Sequence, residues 1–217
     1  MEIHDIIKKT ILDFSYQYTP EQLLDIKCRY LADHCNRVLD FGKSSRHRYD
    51  FFASGQILTA DINQFEDYPD IICDLCERES LPDEKFDGII CNAVLEHTYN
   101  PIAAAENLHF LLKDGSHCLA YAPFIYRYHS FGNPVVQDFY RFSNDGLAYL
   151  FRLFSEVTLF PVRGRISTLL NMFPWWKKNI ERKYGKYGYK LDKLIDSIKE
   201  PRQHKIQVSG FFVWAQK

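Results

Sequence analysis

The amino-acid sequence predicts an α/β protein, with a mostly parallel sheet of seven strands flanked by helices. Short apolar runs of strand length alternate along the chain with segments of helical periodicity or with turn residues. Parallel strands require such crossover segments, whereas antiparallel neighbours need only a hairpin. The composition is that of a globular protein, since 46% of the 217 residues are hydrophobic and 25% are charged.

Helices are expected where apolar residues recur at intervals of three and four. The second of them begins at Pro20, because proline suits the first helical position and Thr19 can cap the helix. A later helix is closed by Gly115, since glycine often follows a helix. The predicted helices cover 3–14, 20–34, 100–115 and 144–154.

The strands are apolar segments bounded by turn residues. Between the last two lies a long basic segment, which is expected to form one or two helices packed as a flap or cap. The predicted strands cover 37–42, 56–62, 69–75, 86–94, 116–124, 156–162 and 207–216.

The length favours a single domain over 1–217 rather than two. Within this domain we expect four parts in order. They are N-terminal helices over 1–35, a cofactor-binding core over 36–162, a basic helical insertion over 163–205 and a final strand over 206–217.

Charge is distributed unevenly, although the net charge is −1 at pH 7. The segment 163–205 holds twelve Lys and Arg against four Asp and Glu, which leaves the rest of the chain acidic. Such a segment suits an anionic partner or a solvated helical face, and the sequence leaves both open. Its residues Trp175, Trp176, Lys177 and Lys178 also raise the hypothesis of peripheral contact with a membrane.

The six cysteines are scattered through apolar segments, as reduced and partly buried thiols are. Cys73 and Cys76 have the spacing of a zinc ligand pair, but no second close pair completes a four-ligand site. No metal site is therefore expected. The N-terminus lacks the order of a signal peptide and no apolar run is long enough to span a bilayer, so a cytoplasmic protein is expected.

Polar residues follow the predicted strands, at the edge where open parallel sheets bind ligands. Asp40 and Gly42 end the first strand, and Asp61 ends the second. Asp61 lies twenty-one residues beyond Asp40, a separation typical of an acid that binds a ribose diol. An acid at position 40 disfavours a pyrophosphate and suits a cationic ligand or one that carries an amino-acid group. Glycine is absent from the next positions of this loop, which hold Ser44 and Arg46.

Four stretches resemble class I S-adenosylmethionine-dependent methyltransferases of the type 11 group. They are "RVLDFG", "TADI", "LPDEKFDGIICNAVLEHTYNP" and "HFLLKDGSHCLAYAPF", and the resemblance covers 36–162. The third stretch is the most specific of them. A further stretch, "PFIYRYHSFGNPVVQDFYRFSNDGLAYLF", resembles members from surface-glycan biosynthesis.

The resemblance implies a Rossmann-like sheet whose last strand is antiparallel, and S-adenosyl-L-methionine as the cofactor. The family pattern has glycines at positions 42, 44 and 46. Ser44 therefore either hydrogen-bonds the ligand in place of a glycine or records a lost site. The residues that the resemblance places against the cofactor are Asp40, Gly42, Ser44, Asp61, Ile62, Asp74, Leu75, Asn92, Ala93 and His97.

The acceptor is expected to contact the loop after the fifth strand, where a base could take the proton of a hydroxyl group. His129 is the candidate base, and Asp138 either orients it or acts itself. Arg141 suits an anionic group of the acceptor, and Tyr128 and Tyr140 are expected to line its pocket. Two alternatives stay open, since the aromatic residues of 121–142 also suit the packing of an ordered lid and His129 also suits a surface or structural role.

The sequence thus favours O-methylation of a small molecule or of a glycan or nucleotide-sugar precursor. A nucleic-acid methyltransferase is one alternative, which the basic segment supports. The acidic sheet portion, and the lack of an "NPPY"-type ending after the fourth strand, make nucleic acid a poor partner. The other alternative is a non-catalytic relative that binds the cofactor.

Overall fold

The computed structural model describes residues 19–130, 136–173 and 207–217, together with 5–6, 9–14 and the single positions 175, 179 and 194. In these parts of the chain, no helix is both long and apolar enough to cross a membrane. Most of the basic insertion expected over 163–205 lies outside the described residues. The hypotheses of a helical cap and of membrane contact therefore lie outside them too.

Eight strands of the described chain form a single sheet. They are β1 (Thr10–Leu12), β2 (Val38–Phe41), β3 (Ile57–Asp61), β4 (Ile71–Ile72), β5 (Phe86–Asn92), β6 (Leu112–Pro123), β7 (Glu156–Val162) and β8 (Gly210–Gln216). The strand order is β1-β7-β8-β6-β5-β2-β3-β4. β8 is antiparallel to its neighbours β6 and β7, and the remaining pairs are parallel.

Polar side chains cap the beginnings of three helices, at Thr19, Asn100 and Ser143. Thr19 starts the first helix with a capping box, since its hydroxyl accepts from Gln22 N (3.1 Å) and the Gln22 side chain accepts from Thr19 N (2.9 Å). Asn100 caps the second helix by accepting from Ala103 N (3.2 Å). In the described parts of the chain, the helices with defined bounds are α1 (Pro20–His34), α2 (Pro101–Leu111), α3 (Asn144–Leu150) and α4 (Arg165–Asn171), with short 3₁₀ turns at Arg46–Phe51, Arg78–Ser80 and Leu95–His97.

Helices cover both faces of the sheet, because neighbouring residues of a strand point to opposite sides. On β5, Ile89 belongs to the same apolar cluster as Leu108 of α2. The adjacent Ile90 belongs instead to the cluster that contains Leu31 of α1. All four side chains are fully buried. Burial on both faces explains why the central strands read as continuous apolar runs.

The fold class predicted from the sequence is confirmed, with one strand more than expected. The helix predicted over 3–14 is wrong at its end, because Thr10–Leu12 form β1 and pair with residues 157–159 of β7. The helix predicted over 100–115 ends at Leu111, because Leu112 already pairs with Phe86 of β5. In both places pairing with a distant strand overrides the local periodicity.

The strand order reverses beside β2. The chain passes from β2 outward to β3 and β4, and then returns to the other side of β2 as β5. A crevice forms at such a switch point, beyond the carboxyl ends of the strands. The loops that follow β2, β3 and β5 form its walls.

Candidate functional site

A cavity of about 340 Å³ lies beyond the carboxyl ends of β2, β3 and β5. Small-molecule sites typically have a volume in this range. Of the ten residues predicted to bind the cofactor, all except Asp40 and Asn92 line this first cavity. Those that do are Gly42, Ser44, Asp61, Ile62, Asp74, Leu75, Ala93 and His97.

The loop after β2 has two residues in the left-handed region, Gly42 (φ +72°) and Lys43 (φ +49°). Ser44 and Arg46 stand where the resemblance expects glycines, and neither has a positive φ. Side chains therefore fit at positions 44 and 46, and the backbone strain falls on Lys43 instead. Gly42 also provides space, because a Cβ atom there would lie 3.1 Å from Cγ2 of Val94.

Asp40 lies fully buried behind this loop and holds it together. Its carboxylate accepts hydrogen bonds from Ser44 Oγ (2.7 Å), from Ser45 N and Oγ (2.9 and 2.7 Å) and from Tyr49 OH (2.8 Å). Burial raises the pKa of the Asp40 carboxyl, and these donors oppose the rise. The residue therefore supports the loop and does not itself line the cavity.

The hydroxyl group of Ser44 links the loop to the end of β5. Besides donating to Asp40, this oxygen accepts from the backbone N of Asn92 at 3.2 Å. The side-chain amide of Asn92 in turn donates to the carbonyl oxygen of Ser44 at 3.2 Å. A glycine at position 44 would lack the hydroxyl group that makes the first two bonds.

A second cavity, of about 430 Å³, adjoins the first at Ala93, which lines both. Ala93 has φ +58°, a conformation that side chains other than glycine seldom adopt and that is often found at functional sites. Charged, amide and aromatic groups surround this second cavity. They include Glu21, Arg48, Asn92, Glu96, Tyr121, Tyr126, His129, Arg163, Asn171 and Phe212.

His129 stands where the two cavities meet. Its Nε2 lies 3.2 Å from Nε2 of His97, which lines the first cavity. Its Nδ1 lies 3.1 Å from Oδ2 of Asp138, which also accepts from the backbone N of His129 at 2.9 Å. Burial lowers the pKa of His129 and the Asp138 carboxylate opposes that change, so the imidazole is predominantly neutral at pH 7.

Arg141 holds the loop that carries His129. It donates to both carboxylate oxygens of Asp138 and to the carbonyl oxygens of Tyr126 (3.1 Å), Arg127 (2.8 Å) and Tyr140 (2.6 Å). The bonds from Arg141 lower the pKa of Asp138 to about 2. Arg141 was expected to bind an anionic group of the acceptor, but its guanidinium group is engaged within the loop.

The two tyrosines predicted to line the acceptor pocket line neither the first nor the second cavity. Tyr128 is 54% exposed, and the hydroxyl group of Tyr140 donates to the carbonyl oxygen of Tyr99 at 3.2 Å. Tyr121 and Tyr126 line the second cavity instead. In an irregular loop, the direction of a side chain does not follow from its spacing, so the sequence could not distinguish these tyrosines.

Glu96 is a site residue that the sequence analysis missed. It lies in the turn Leu95–His97, is 1% exposed and lines the second cavity. Within the described parts of the chain, its Oε2 has no hydrogen-bond partner. Burial raises the pKa of its carboxyl to about 8. Its backbone carbonyl accepts from the N–H groups of Phe139 (2.8 Å) and Tyr140 (3.2 Å), which ties the turn to the loop of His129.

The sequence profile of the methyltransferase domain matches residues 17–127, just over half of the chain. The chain belongs to this methyltransferase-domain family. Its cofactor is S-adenosyl-L-methionine, as the resemblance in the sequence implied. We therefore name the first cavity the cofactor cavity.

Two solved structures share the fold of this methyltransferase domain. One is an S-adenosylmethionine-dependent methyltransferase from Archaeoglobus fulgidus, with a TM-score of 0.52 and 17% identity over 90% of this chain and 94% of that one. The other is the [4+2]-cyclase SpnF, with a TM-score of 0.50 and 14% identity over 93% and 84% of the two chains. At such identities the likeness shows the fold alone. No curated protein matches the sequence.

The cofactor cavity of the methyltransferase fits the ribose of S-adenosyl-L-methionine at Asp61. One carboxylate oxygen of Asp61 accepts from Asn63 N at 2.9 Å, and the other accepts from the hydroxyl group of Tyr68. Because each oxygen has two lone pairs, one on each remains for a ribose hydroxyl. The two bonds from the protein fix the carboxylate in place for that contact.

The far end of the cofactor cavity suits the adenine ring. Leu75 offers an apolar wall there, and the Asp74 carboxylate accepts from Cys76 N (2.8 Å) and from the hydroxyl group of Tyr99 (3.2 Å). The thiols of Cys73 and Cys76 also line this end. Burial raises the pKa of both, to about 11 for Cys73, so they are neutral at pH 7 and poor metal ligands.

Proposed function

We propose that the protein transfers a methyl group from S-adenosyl-L-methionine to a hydroxyl group of a small molecule bound in the second cavity, here named the acceptor cavity. The supporting observation is that the two cavities meet at Ala93, and that His129 lies beside this junction. Methyl transfer is an in-line displacement, so the two reactants must approach each other from opposite sides of one point. Adjoining cavities meet that requirement.

The cofactor supplies an electrophilic methyl group, and the protein must take the proton of the acceptor. His129 is suited to that task because it is predominantly neutral and close to both cavities. With Nδ1 donating to the Asp138 carboxylate, the imidazole keeps a lone pair on Nε2. Asp138 thus orients the base and stabilises the imidazolium that forms, and Arg141 holds Asp138 in turn.

A sugar hydroxyl, in a glycan or nucleotide-sugar precursor, is the acceptor class that we propose. The stretch after β6 resembles methyltransferases from surface-glycan biosynthesis, as noted above. In addition, the ring of Tyr126 and the polar groups of Asn92 and Asn171 line the acceptor cavity. Aromatic rings pack against the apolar faces of sugars, and amide groups hydrogen-bond sugar hydroxyls.

The test is the release of S-adenosylhomocysteine when the full chain is incubated with the cofactor and a panel of sugars, nucleotide sugars and phenols. On the acceptor that gives turnover, we expect His129→Ala to lower kcat by about 10²–10⁴. Calorimetry should show unchanged affinity for S-adenosylhomocysteine, because His129 lies outside the cofactor cavity.

His47→Ala is the matched control, since this imidazole is exposed and lines neither cavity. It should leave both quantities unchanged. An unchanged kcat in His129→Ala would rule out the base. Absence of S-adenosylhomocysteine binding to the unaltered protein at millimolar concentration would overturn the enzymatic function as a whole.

A further inference from the structure

We propose that Glu96, His97 and His129 form a binding site for one divalent transition-metal ion, where the cofactor and acceptor cavities meet. The ligand atoms of the three side chains all lie within 4.8 Å of one another. They come from two segments, the turn Leu95–His97 and the loop after β6, which backbone hydrogen bonds to Glu96 hold together. The site is therefore built by the fold and not by one flexible segment.

The spacing of the two imidazoles fits a shared metal ion. Their Nε2 atoms lie 3.2 Å apart. Zinc binds imidazole nitrogen at about 2.0–2.1 Å, which in tetrahedral geometry places two nitrogen ligands about 3.3 Å apart. The observed separation is close to that value.

The neighbours of the two Nδ1 atoms are compatible with both Nε2 atoms binding one ion. Nδ1 of His129 lies 3.1 Å from the Asp138 carboxylate, and Nδ1 of His97 contacts the carbonyl oxygen of Gln137. Both oxygens accept from an Nδ1 that carries the proton, the tautomer in which each Nε2 keeps a lone pair, and Nη2 of Arg141 also lies 3.4 Å from Nδ1 of His129. A cation held between the two Nε2 atoms would engage both lone pairs at once.

The oxygen neighbours of the two Nδ1 atoms resemble those of metal-bound histidines. A metal-bound histidine almost always donates its other ring N–H to a carboxylate or a backbone carbonyl. Here Asp138 serves His129 and the Gln137 carbonyl serves His97. Arg141 fixes Asp138 from behind with two hydrogen bonds.

The third ligand is a buried carboxyl group with one unpartnered oxygen. Oε2 of Glu96 is buried without a hydrogen-bond partner among the described residues, and the side chain is 1% exposed. A carboxylate oxygen in such a place is costly unless a proton or a cation compensates it. Its Oε1 lies 3.9 Å from Nε2 of His97, so an ion near the imidazoles would also neutralise Glu96. Two nitrogens and one carboxylate favour zinc, iron or manganese over calcium.

The location suggests what the ion does, a step that rests on the proposed function. Glu96 and His129 line the acceptor cavity, so the open coordination positions face the acceptor. A hydroxyl group bound to the ion would be more acidic, so its proton could pass to solvent. Its oxygen would then form a bond to the methyl carbon as the bond from that carbon to the cofactor's sulfur breaks and S-adenosylhomocysteine leaves. In this state Nε2 of His129 is occupied by the ion, so metal binding replaces the role of His129 as a base.

Metal binding can be measured on the full chain without an acceptor. After removal of metals with a chelator, Zn²⁺ is titrated in competition with a chromophoric chelator. We expect one tight equivalent, weakened by about 100-fold or more in His97→Ala and His129→Ala, and by about 10–100-fold in Asp138→Asn. Glu96→Gln, which keeps the size of the side chain, should weaken binding as well. The control His47→Ala should bind as tightly as the unaltered protein.

Two results would overturn the site. One is an unchanged Zn²⁺ affinity in both His97→Ala and His129→Ala, with circular dichroism showing folded protein. The other is a Co²⁺ complex with a thiolate charge-transfer band, which would place the ion on the free cysteines. Calorimetry with S-adenosylhomocysteine on the metal-free protein separates the two proposals, because cofactor binding without metal binding leaves the proposed methyl transfer intact and removes only the ion.

Discussion

Ser44 shows how a side chain can take over part of a glycine's place in a cofactor loop. Its hydroxyl group accepts from the backbone of Asn92 and donates to the buried Asp40, which joins the loop after β2 to the end of β5. Hydrogen bonds to a buried charged group contribute about 1.5–3 kcal/mol each. Backbone strain from a positive φ falls on Lys43, the one residue of this loop besides Gly42 that has such an angle, so glycines at 44 and 46 are not needed to avoid it.

Asp61 carries the most direct prediction about the cofactor. Asp61→Ala removes the carboxylate that the ribose hydroxyls would contact, so we expect affinity for S-adenosylhomocysteine to fall by more than about tenfold, as measured by calorimetry. Asp83→Ala is the control, because Asp83 is exposed and does not line the cofactor cavity. An affinity within twofold of the unaltered protein in Asp61→Ala would show that the ribose lies elsewhere.

Among single residues, the sequence indicated candidate site residues that directly follow a strand. It did not indicate those that stand out only because the fold buries them. Asp61 follows a recognisable strand at a recognisable distance from Asp40, and it lines the cofactor cavity. Glu96 is one acid among many until the fold buries it at 1% exposure. The sequence predicted that Arg141 binds an anionic group of the acceptor. In the folded chain its guanidinium group is paired with Asp138.

Two glycines allow neighbouring strands and helices to pack closely against each other. Gly210 begins β8, where a Cβ atom would lie 2.5 Å from the carbonyl oxygen of Ala122 on β6. Gly88 lies in β5, where a Cβ atom would lie 2.9 Å from Cδ2 of Leu31 on α1. A backbone atom cannot move aside as the end of a leucine side chain can, so the two glycines differ in what they tolerate.

We expect Gly210→Ala to lower the free energy of unfolding by about 1–3 kcal/mol, because overpacking against backbone forces the strands apart. Gly88→Ala should cost less, since Leu31 can adjust. Gly146→Ala is the control, as the nearest atom would lie 3.4 Å away and alanine favours the helix by about 0.5–1 kcal/mol. Urea unfolding measures all three, and a Gly210→Ala protein as stable as Gly146→Ala would contradict the contact.

The elements that the sequence predicted well are those whose local pattern agrees with their surroundings. α1 begins and ends where the pattern places it, because its cap and its apolar face act together. Residues 10–12 read as the end of a helix, yet they form β1 because β7 offers an unpaired edge. The sequence pattern within residues 3–14 cannot indicate pairing with a strand that lies about 150 residues further along the chain.

At the scale of the molecule, one edge of the sheet carries both cavities. Reversal of the strand order beside β2 opens the crevice, and the loop after β6 reaches across it to bring His129 to His97. The sheet ends in short strands on both sides, with three residues in β1 and two in β4. Short edge strands offer little to a second chain, which protects an otherwise apolar sheet from edge-to-edge pairing.

The free energy of unfolding of the whole molecule should depend on pH through His117, which stacks on Trp214 at 4.6 Å. Burial lowers the pKa of His117 below its ordinary 6.5, and Lys27 on α1 adds to this while Glu156 on β7 opposes it. As the pH falls, the unfolded chain therefore takes up the proton first, and protonation favours unfolding. The stabilisation by neutral His117 is complete above pH 6.5 and is lost as the pH falls through and below this value.

Urea unfolding between about pH 7.5 and about pH 5.5 should therefore show a declining free energy of unfolding. His117→Phe keeps a stacked ring without a titrating nitrogen and should flatten the decline, whereas an equally steep decline in this variant would place its origin in other groups.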